Sequence, residues 1–301
     1  LQYINLLEIL KVLMWLNLTL TIGGILDTVL LNMVRNEGDK LRRVVVCTPQ
    51  KEYFNVRNPD VHNITQRADQ KKAVQQHAVL KAIMHQSGCE VIDIPELSDH
   101  PNSIFTRDTA VCTPEGYIKL RMGLETRRGE DAWMAQTLDA LGEPCAGGIK
   151  APGTVEGGDI ILAGKVAFVG CSQRTNENGV QQISKFLRSM NYEVRLANMP
   201  PTRLHIGGAM SMVGPRRIVC CPDVFPSGFF DGFETIEISS DTFISGNVIC
   251  LVENEVIAEK ENAEVISKLR QAGILVHDID LSEFVKGRGG PTCLIVPVER
   301  K

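Results

Sequence analysis

Short apolar runs recur along the chain, and five of them are entered through a polar or Gly-rich knot. Phe105-Thr106-Arg107-Asp108 precedes Thr109–Cys112, and Glu156-Gly157-Gly158-Asp159 precedes Ile160–Leu162. Leu204-His205-Ile206-Gly207-Gly208 precedes Ala209–Val213, and Ser245-Gly246-Asn247 precedes Val248–Leu251. The last knot, Gly289-Gly290-Pro291-Thr292-Cys293, runs into Leu294–Val298. Runs of this kind, bounded by turn formers, predict strands. Several are followed by a turn and a second run, as in Thr113-Pro114-Glu115-Gly116 before Tyr117–Leu120, which predicts hairpins.

Helical periodicity follows the hairpins. Met134, Leu138 and Leu141 share a face over about 129–141, and Gly142 ends it. Val180, Ile183 and Leu187 mark a second helix, and Val265, Leu269 and Ala272 a third, stopped by Gly273. Near the start, residues 41–48 predict a strand, and a helix runs to about residue 87. Val79, Leu80, Ile83 and Met84 share its apolar face, Gly88 stops it, and Cys89–Ile94 returns as a strand. The fourth copy lacks a helix signal, because residues 222–232 contain Pro222, Pro226, Gly228 and Gly232.

The unit is therefore strand, turn, strand, helix, strand, repeated five times at a spacing of about 45 residues. Pairing the C-terminal run with Val44–Thr48 would close a ring with no open edge. The predicted fold is a five-bladed α/β propeller. A doubly wound sheet competes, but the hairpins oppose it and there is no Gly-x-Gly-x-x-Gly fingerprint. Residues 1–40 are expected to be an apolar extension outside the fold, and 41–301 a single propeller domain. Residues 12–26 are uncharged but short for a membrane span, so an anchor is the minority reading.

Composition narrows the function classes. The chain has 301 residues, 44% hydrophobic and 23% charged, as in an ordinary soluble domain. A net charge of −4 without a basic stripe argues against nucleic acid. The nine cysteines are irregularly spaced, with no Cys-x-x-Cys pair, so neither zinc nor a disulfide framework is signalled. Four sit in apolar strands (Cys47, Cys112, Cys220, Cys250), and a reducing, cytoplasmic setting is expected. Homodimerisation is left open. His77, His85 and His100 read as surface residues.

If the five strands are symmetry mates, Cys293, His205 and the carboxylates of Asp108, Glu156 and Asp159 meet at one end of an axis. Each alone has a bland alternative: a buried strand cysteine, a core histidine, a strand-end cap, a Gly-rich bulge. Their equivalent places in the repeat favour a catalytic set.

Together with Asn102, these motifs stand in the order found in guanidine-modifying enzymes. From about residue 42 onward the chain resembles the arginine deiminase and dimethylarginine dimethylaminohydrolase superfamily. Ser172-Gln173-Arg174-Thr175-Asn176 and Arg127-Arg128 resemble the dimethylarginine branch. The resemblance implies that Cys293 attacks the guanidinium carbon and that His205 serves as acid and then as base. Asp108 and Glu156 would hold the guanidinium. Arg127 and Arg174 would grip the substrate carboxylate, Asn102 would contact its amino-acid end, and residues 50–64 would form a lid. Asp159 would orient His205 or a strand end, or bind the guanidinium. No metal or cofactor is called for.

The expected partner is a small cationic substrate, methylated arginine or arginine. Gly207 stands where arginine deiminases carry an aspartate, which favours methylated arginine. Asn102 and Arg107 match the deiminase version instead. Arginine deimination is the nearest alternative, followed by amidino transfer and by a propeller that binds without chemistry.

Overall fold

The computed structural model describes residues 34–239 and 241–301. Strand β1 (Leu41–Cys47), helix α1 (Gln70–Gln86) and β2 (Glu90–Ile94) come first. The second unit holds β3 (Ala110–Thr113), β4 (Gly116–Lys119), α2 (Glu130–Ala140) and β5 (Cys145–Gly148). The third holds β6 (Ile160–Ala163), β7 (Val166–Cys171), α3 (Glu177–Ser189) and β8 (Glu193–Asn198). The fourth has only strands, β9 (Met210–Gly214), β10 (Arg217–Cys220) and β11 (Glu234–Glu237). The fifth holds β12 (Val248–Val252), β13 (Glu255–Glu259), α4 (Ala263–Gln271) and β14 (Leu275–Ile279). A short helix α5 (Ser282–Val285) leads to the final strand β15 (Val296–Arg300).

These strands form five three-stranded sheets, the blades of an α/β propeller. In each, the inner strand is antiparallel to the middle strand, which is parallel to the outer one. The ring closes as predicted: β15 pairs with β1, placing the end of the fold beside its beginning. Inner strands of adjoining blades touch, as β9 does β12 and β15 does β3.

Local chemistry explains the elements. Asp69 and Asn176 cap α1 and α3 by accepting the Lys72 and Gly179 amides at 2.7 and 2.8 Å. Gly142 takes φ +81° just past α2, the left-handed turn that glycine adopts without strain. Val180, Ile183 and Leu187 lie buried under α3. In the fourth unit, a 3₁₀ turn at Pro222–Val224 replaces the helix. Phe225, Phe229, Phe230 and Phe233 then supply the apolar cover a helix would give, with Phe229, Phe230 and Phe233 packing around Phe168.

Three expectations need correction. First, residues 34–40 belong to the fold. Val34 is buried, Asn36 bridges to Ala163, and Lys40 exchanges backbone hydrogen bonds with Lys301. Gly38 is required there, since a Cβ would lie 2.0 Å from the Gly214 carbonyl oxygen. Residues 1–33, including the apolar run 12–26, lie outside the described residues. Second, His77 is fully buried, with its Nδ1 3.0 Å from Thr48 Oγ1 and its ring against Phe284. Third, Val79 is exposed, and the buried face of α1 is Ala73, Gln76, His77, Leu80 and Met84. That face is set by packing against β2, β14 and α5, which no local pattern in α1 reveals. Among the described residues, no helix is long and apolar enough to cross a membrane.

Candidate active site

Four of the five inner strands begin directly after a 3₁₀ turn, and these turns carry the chemistry. Thr106–Asp108, Gly157–Asp159, Ile206–Gly208 and Pro291–Leu294 precede β3, β6, β9 and β15. Cys293 therefore sits in a turn, before the strand. The Thr106–Asp108 turn touches both the Gly157–Asp159 turn and the one holding Cys293.

Glu156 and His205 form the heart of the cluster. Glu156 Oε2 lies 2.9 Å from His205 Nε2, and both side chains are buried. Glu156 Oε1 accepts the Gly123 and Leu124 amides, and Arg174 Nη1 reaches both carboxylate oxygens at 3.2 and 3.3 Å. Burial alone would raise the Glu156 pKa. The His205 bond and the guanidinium groups of Arg174 and Arg127 outweigh it and hold the carboxyl well below the usual range. Burial likewise opposes a charged His205, but Asp108, Asp159 and Glu156 raise its pKa to about 9. Gly158 permits this closeness, because a Cβ there would lie 2.6 Å from His205 Nδ1.

Cys293 is half-buried, and its Sγ accepts the Gly290 amide at 3.3 Å. Burial, then the Asp108 charge, push its thiol up to about 11, against the lowering effects of Gly290, Arg107 and Arg127. The ligand-free pair is thus a thiol and an imidazolium at neutral pH. Alkylation of Cys293 by uncharged iodoacetamide is expected to be slow at pH 7. It should accelerate about tenfold per pH unit toward pH 10, following the thiolate fraction. Mass spectrometry of the Cys293 peptide checks this; a rate already at its plateau at pH 7 would contradict it.

The structure assigns the remaining predicted residues distinct surroundings. Asp108 Oδ1 accepts the Gly158 amide at 3.1 Å, and Oδ2 accepts Arg127 Nη1 at 2.6 Å. Arg127 is buried, and its other nitrogens go to Glu130 and to the Phe105 carbonyl. Arg127 and Arg174 thus lie against the site's acids, at the end where the guanidinium was expected. Asp159 bonds the Ile206 amide at 3.0 Å and Ser172 Oγ at 2.6 Å, so it anchors the His205 turn and the Arg174 loop. Burial raises its pKa to about 6. Asn102 donates to the His62 carbonyl at 3.1 Å, and its buried Oδ1 has no hydrogen-bond partner among the described residues. Thr126 bonds the Val61 carbonyl, so part of the 50–64 stretch lies over this rim.

Sequence reasoning gave Asn247 no role. Its Nδ2 donates to the Gly207 carbonyl at 3.1 Å and lies 3.9 Å from Cys293 Sγ, while its Oδ1 accepts the Thr292 amide at 2.9 Å. It ties the cysteine turn to the histidine turn. The signal was its place in the fourth knot, equivalent to the other four. Ligand atoms of Asp108, Glu156 and His205 lie within 4.8 Å of one another, a spacing that could hold a cation. Arg127 and Arg174 already balance those carboxylates. A cleft of about 720 Å³ lined by Pro200, Arg203 and Val224 contains none of these groups, so chemistry rather than volume locates the site.

Comparison with known proteins agrees with this geometry. A sequence model of the family described as "N,N dimethylarginine dimethylhydrolase, eukaryotic" matches residues 48–300. The chain is 27% identical over 228 residues to the N(G),N(G)-dimethylarginine dimethylaminohydrolase of Pseudomonas aeruginosa, covering 76% of this chain and 89% of that one. It is also 27% identical over 255 residues to an arginine deiminase of Listeria innocua, covering 66% of this chain and 62% of that one. A crystal structure of a dimethylarginine dimethylaminohydrolase adduct with S-methyl-L-thiocitrulline superposes with a TM-score of 0.75 at 25% identity, over 85% of this chain and 99% of that one. A matched span from residue 48 to residue 300 takes in every strand but β1 and every site residue above: the chain belongs to the eukaryotic N,N-dimethylarginine dimethylhydrolase family.

Proposed function

We propose that the chain hydrolyses an Nω-methylated arginine to citrulline and an alkylamine, with Cys293 as the covalent nucleophile. Family membership makes it a hydrolase of amidine C–N bonds. The observation that carries the finer reading is the meeting of the Cys293 turn, the Asp108 turn and the His205–Glu156 pair at the mouth of the ring.

Counting lone pairs divides the labour between the two acids. A carboxylate has about four acceptor sites. Glu156 already meets two backbone amides, Arg174 and His205, so its role is to hold the imidazole. Asp108 meets one amide and Arg127, which leaves capacity for the substrate guanidinium. The charge of the bound guanidinium favours loss of the Cys293 proton to solvent, and the resulting thiolate adds to the guanidinium carbon. His205 gives its proton to the departing alkylamine as that C–N bond breaks, leaving a thiouronium on sulfur. Water then loses a proton to His205 and attacks the same carbon. The C–S bond breaks, the departing sulfur takes up the hydroxyl proton of the intermediate, and the neutral ureido product remains with Cys293 again a thiol.

Arg174, which commits Nη1 to Glu156, is the better candidate for the substrate carboxylate; Arg127 is spent on Asp108, Glu130 and Phe105. The buried Asn102 Oδ1, without a hydrogen-bond partner among the described residues, suits the substrate ammonium. Gly207 faces the Gly158 carbonyl, 3.1 Å from where a Cβ would stand, so a larger residue would crowd the knot beside His205. That supports a site without a further acid and favours a methylated substrate. Nine free thiols suit a reducing compartment such as the cytoplasm.

Arginine deimination is the second reading, favoured by Asn102 and Arg107 in Asn102-Ser103-Ile104-Phe105-Thr106-Arg107-Asp108. Citrulline formation measured on arginine, monomethylarginine, asymmetric dimethylarginine and agmatine separates the two. Methylated arginines are expected to outrun arginine by about tenfold or more in kcat/KM, a difference of about 1.4 kcal/mol. Arginine turning over fastest would replace the first reading by the second. Agmatine matching the methylarginines would remove the carboxylate role of Arg174.

A further inference from the structure

Arg107 directly precedes Asp108, yet its side chain serves a different set of partners. Its Nε donates to the Gly157 carbonyl at 3.2 Å, and its Nη2 donates to the Ile160 carbonyl at 2.7 Å. Both acceptors flank the Gly158-Asp159 corner that follows Glu156. The same guanidinium therefore clasps the knot carrying Asp108 to the knot carrying Glu156. Its third partner comes from far away: Nη2 donates to Glu37 Oε1 at 2.7 Å. Arg107 is 5% exposed and Glu37 9%.

Glu37 is itself held firmly. Its amide donates to the Leu162 carbonyl at 2.7 Å, and its Oε1 accepts the Leu162 amide at 3.3 Å. The segment bearing it crosses three blades. Asn36 bonds the Pro215 carbonyl and bridges to Ala163, and the Gly38 carbonyl accepts from Cys250 Sγ at 3.6 Å. A buried guanidinium needs a close acid, and losing either partner leaves an uncompensated charge. Here that acid reaches the site from outside all five knots.

We propose that Glu37 and Arg107 are a positioning pair for the active site, setting the spacing between Asp108 and the Glu156–His205 couple and making residues 34–38 a working part of it. This rests on the reading of Cys293 as nucleophile. Neither side chain touches substrate. The cation of Arg107 also acts on the sulfur, alongside Arg127 and against Asp108. The pair thus bears on both geometry and charge.

The test uses the full chain with Glu37→Gln, Arg107→Lys, Arg107→Gln and the exchange Glu37→Arg with Arg107→Glu. Three quantities are read: kcat and KM separately, the pH profile of iodoacetamide labelling at Cys293, and the thermal midpoint. Arg107→Gln is expected to lower kcat by about 10- to 100-fold, the scale of a displacement near 1 Å. It should also move the labelling profile to higher pH. Glu37→Gln should lower kcat in the same direction and move the labelling profile to lower pH, because the Arg107 cation is then no longer offset by its carboxylate partner. The exchange should recover part of kcat. If Arg107→Gln does not fold, Glu37→Gln and Arg107→Lys decide. Folded variants with kcat within about twofold of the parent and an unmoved labelling profile would overturn the proposal, leaving the pair a stabilising contact only. A parent chain that makes no citrulline would sink the reading of function instead, and the labelling profiles would still judge the pair.

Discussion

Cys293→Ser is expected to cut citrulline formation by about 10⁴-fold or more, the scale on which losing a covalent nucleophile acts. The substitution changes little else. Serine Oγ can accept the same Gly290 amide that lies 3.3 Å from Sγ, and the 3₁₀ turn at Pro291–Leu294 does not depend on sulfur. What disappears is the accessible anion. The thiol is already pushed up to about 11, and a hydroxyl ionises several units higher still. Substrate should still bind, since Asp108 and Arg174 are untouched. Steady-state kinetics combined with calorimetric titration of the methylated substrate checks both halves. A serine variant retaining more than about a hundredth of the parent kcat would mean that water attacks directly and that Cys293 is a bystander.

Glu156→Gln is expected to lower kcat by about 10²- to 10⁴-fold, the range for losing positioned proton transfer. The carboxylate is buried and satisfies four donors at once. Its amide would present an N–H to one of them and remove the charge that holds Arg174 and His205. A drop in stability of about 3 kcal/mol should accompany it, as for a broken buried ion pair. The pH dependence carries the sharper signature. His205 is raised to about 9, above its usual value, so its contribution to stability is complete below about pH 6.5 and is lost as pH rises through 9. Without Glu156 two of its causes vanish, and Asp108 and Asp159 remain. The thermal midpoint should then fall less steeply between about pH 6.5 and 9 in the variant than in the parent. Equal slopes would mean that Glu156 does not set the histidine's charge.

Much of the site was legible in the chain because a repeat converts sequence spacing into spatial equivalence. Knots at equal points of five units must gather at one end of the ring, and Cys293, His205, Glu156 and Asp108 do. The missing fourth helix was legible too, from two prolines and two glycines in eleven residues. What escaped depends on partners far away in sequence. Asn36-Glu37-Gly38-Asp39 looks like a polar turn, and distant partners such as Arg107, Leu162 and Pro215 make it interior. His77 looks exposed on its own helix until Thr48 and Phe284 cover it. Arg127 was assigned by resemblance, and its enclosure by Asp108, Glu130 and the Phe105 carbonyl is a matter of side-chain direction that spacing does not encode. Asn247 lies in a knot whose polar residue has no chemistry of its own.

The seam between β1 and β15 has a consequence for how failure begins in this molecule. The sulfur rides on the strap that fastens the circle, whereas the imidazole and its acids are mounted within intact blades. Loosening that fastener would carry Cys293 away from the imidazole and the acids while four sheets kept all their rungs. On the proposed mechanism, Cys293 and His205 would act together only when the loop of blades is shut, and a half-open molecule would be without turnover.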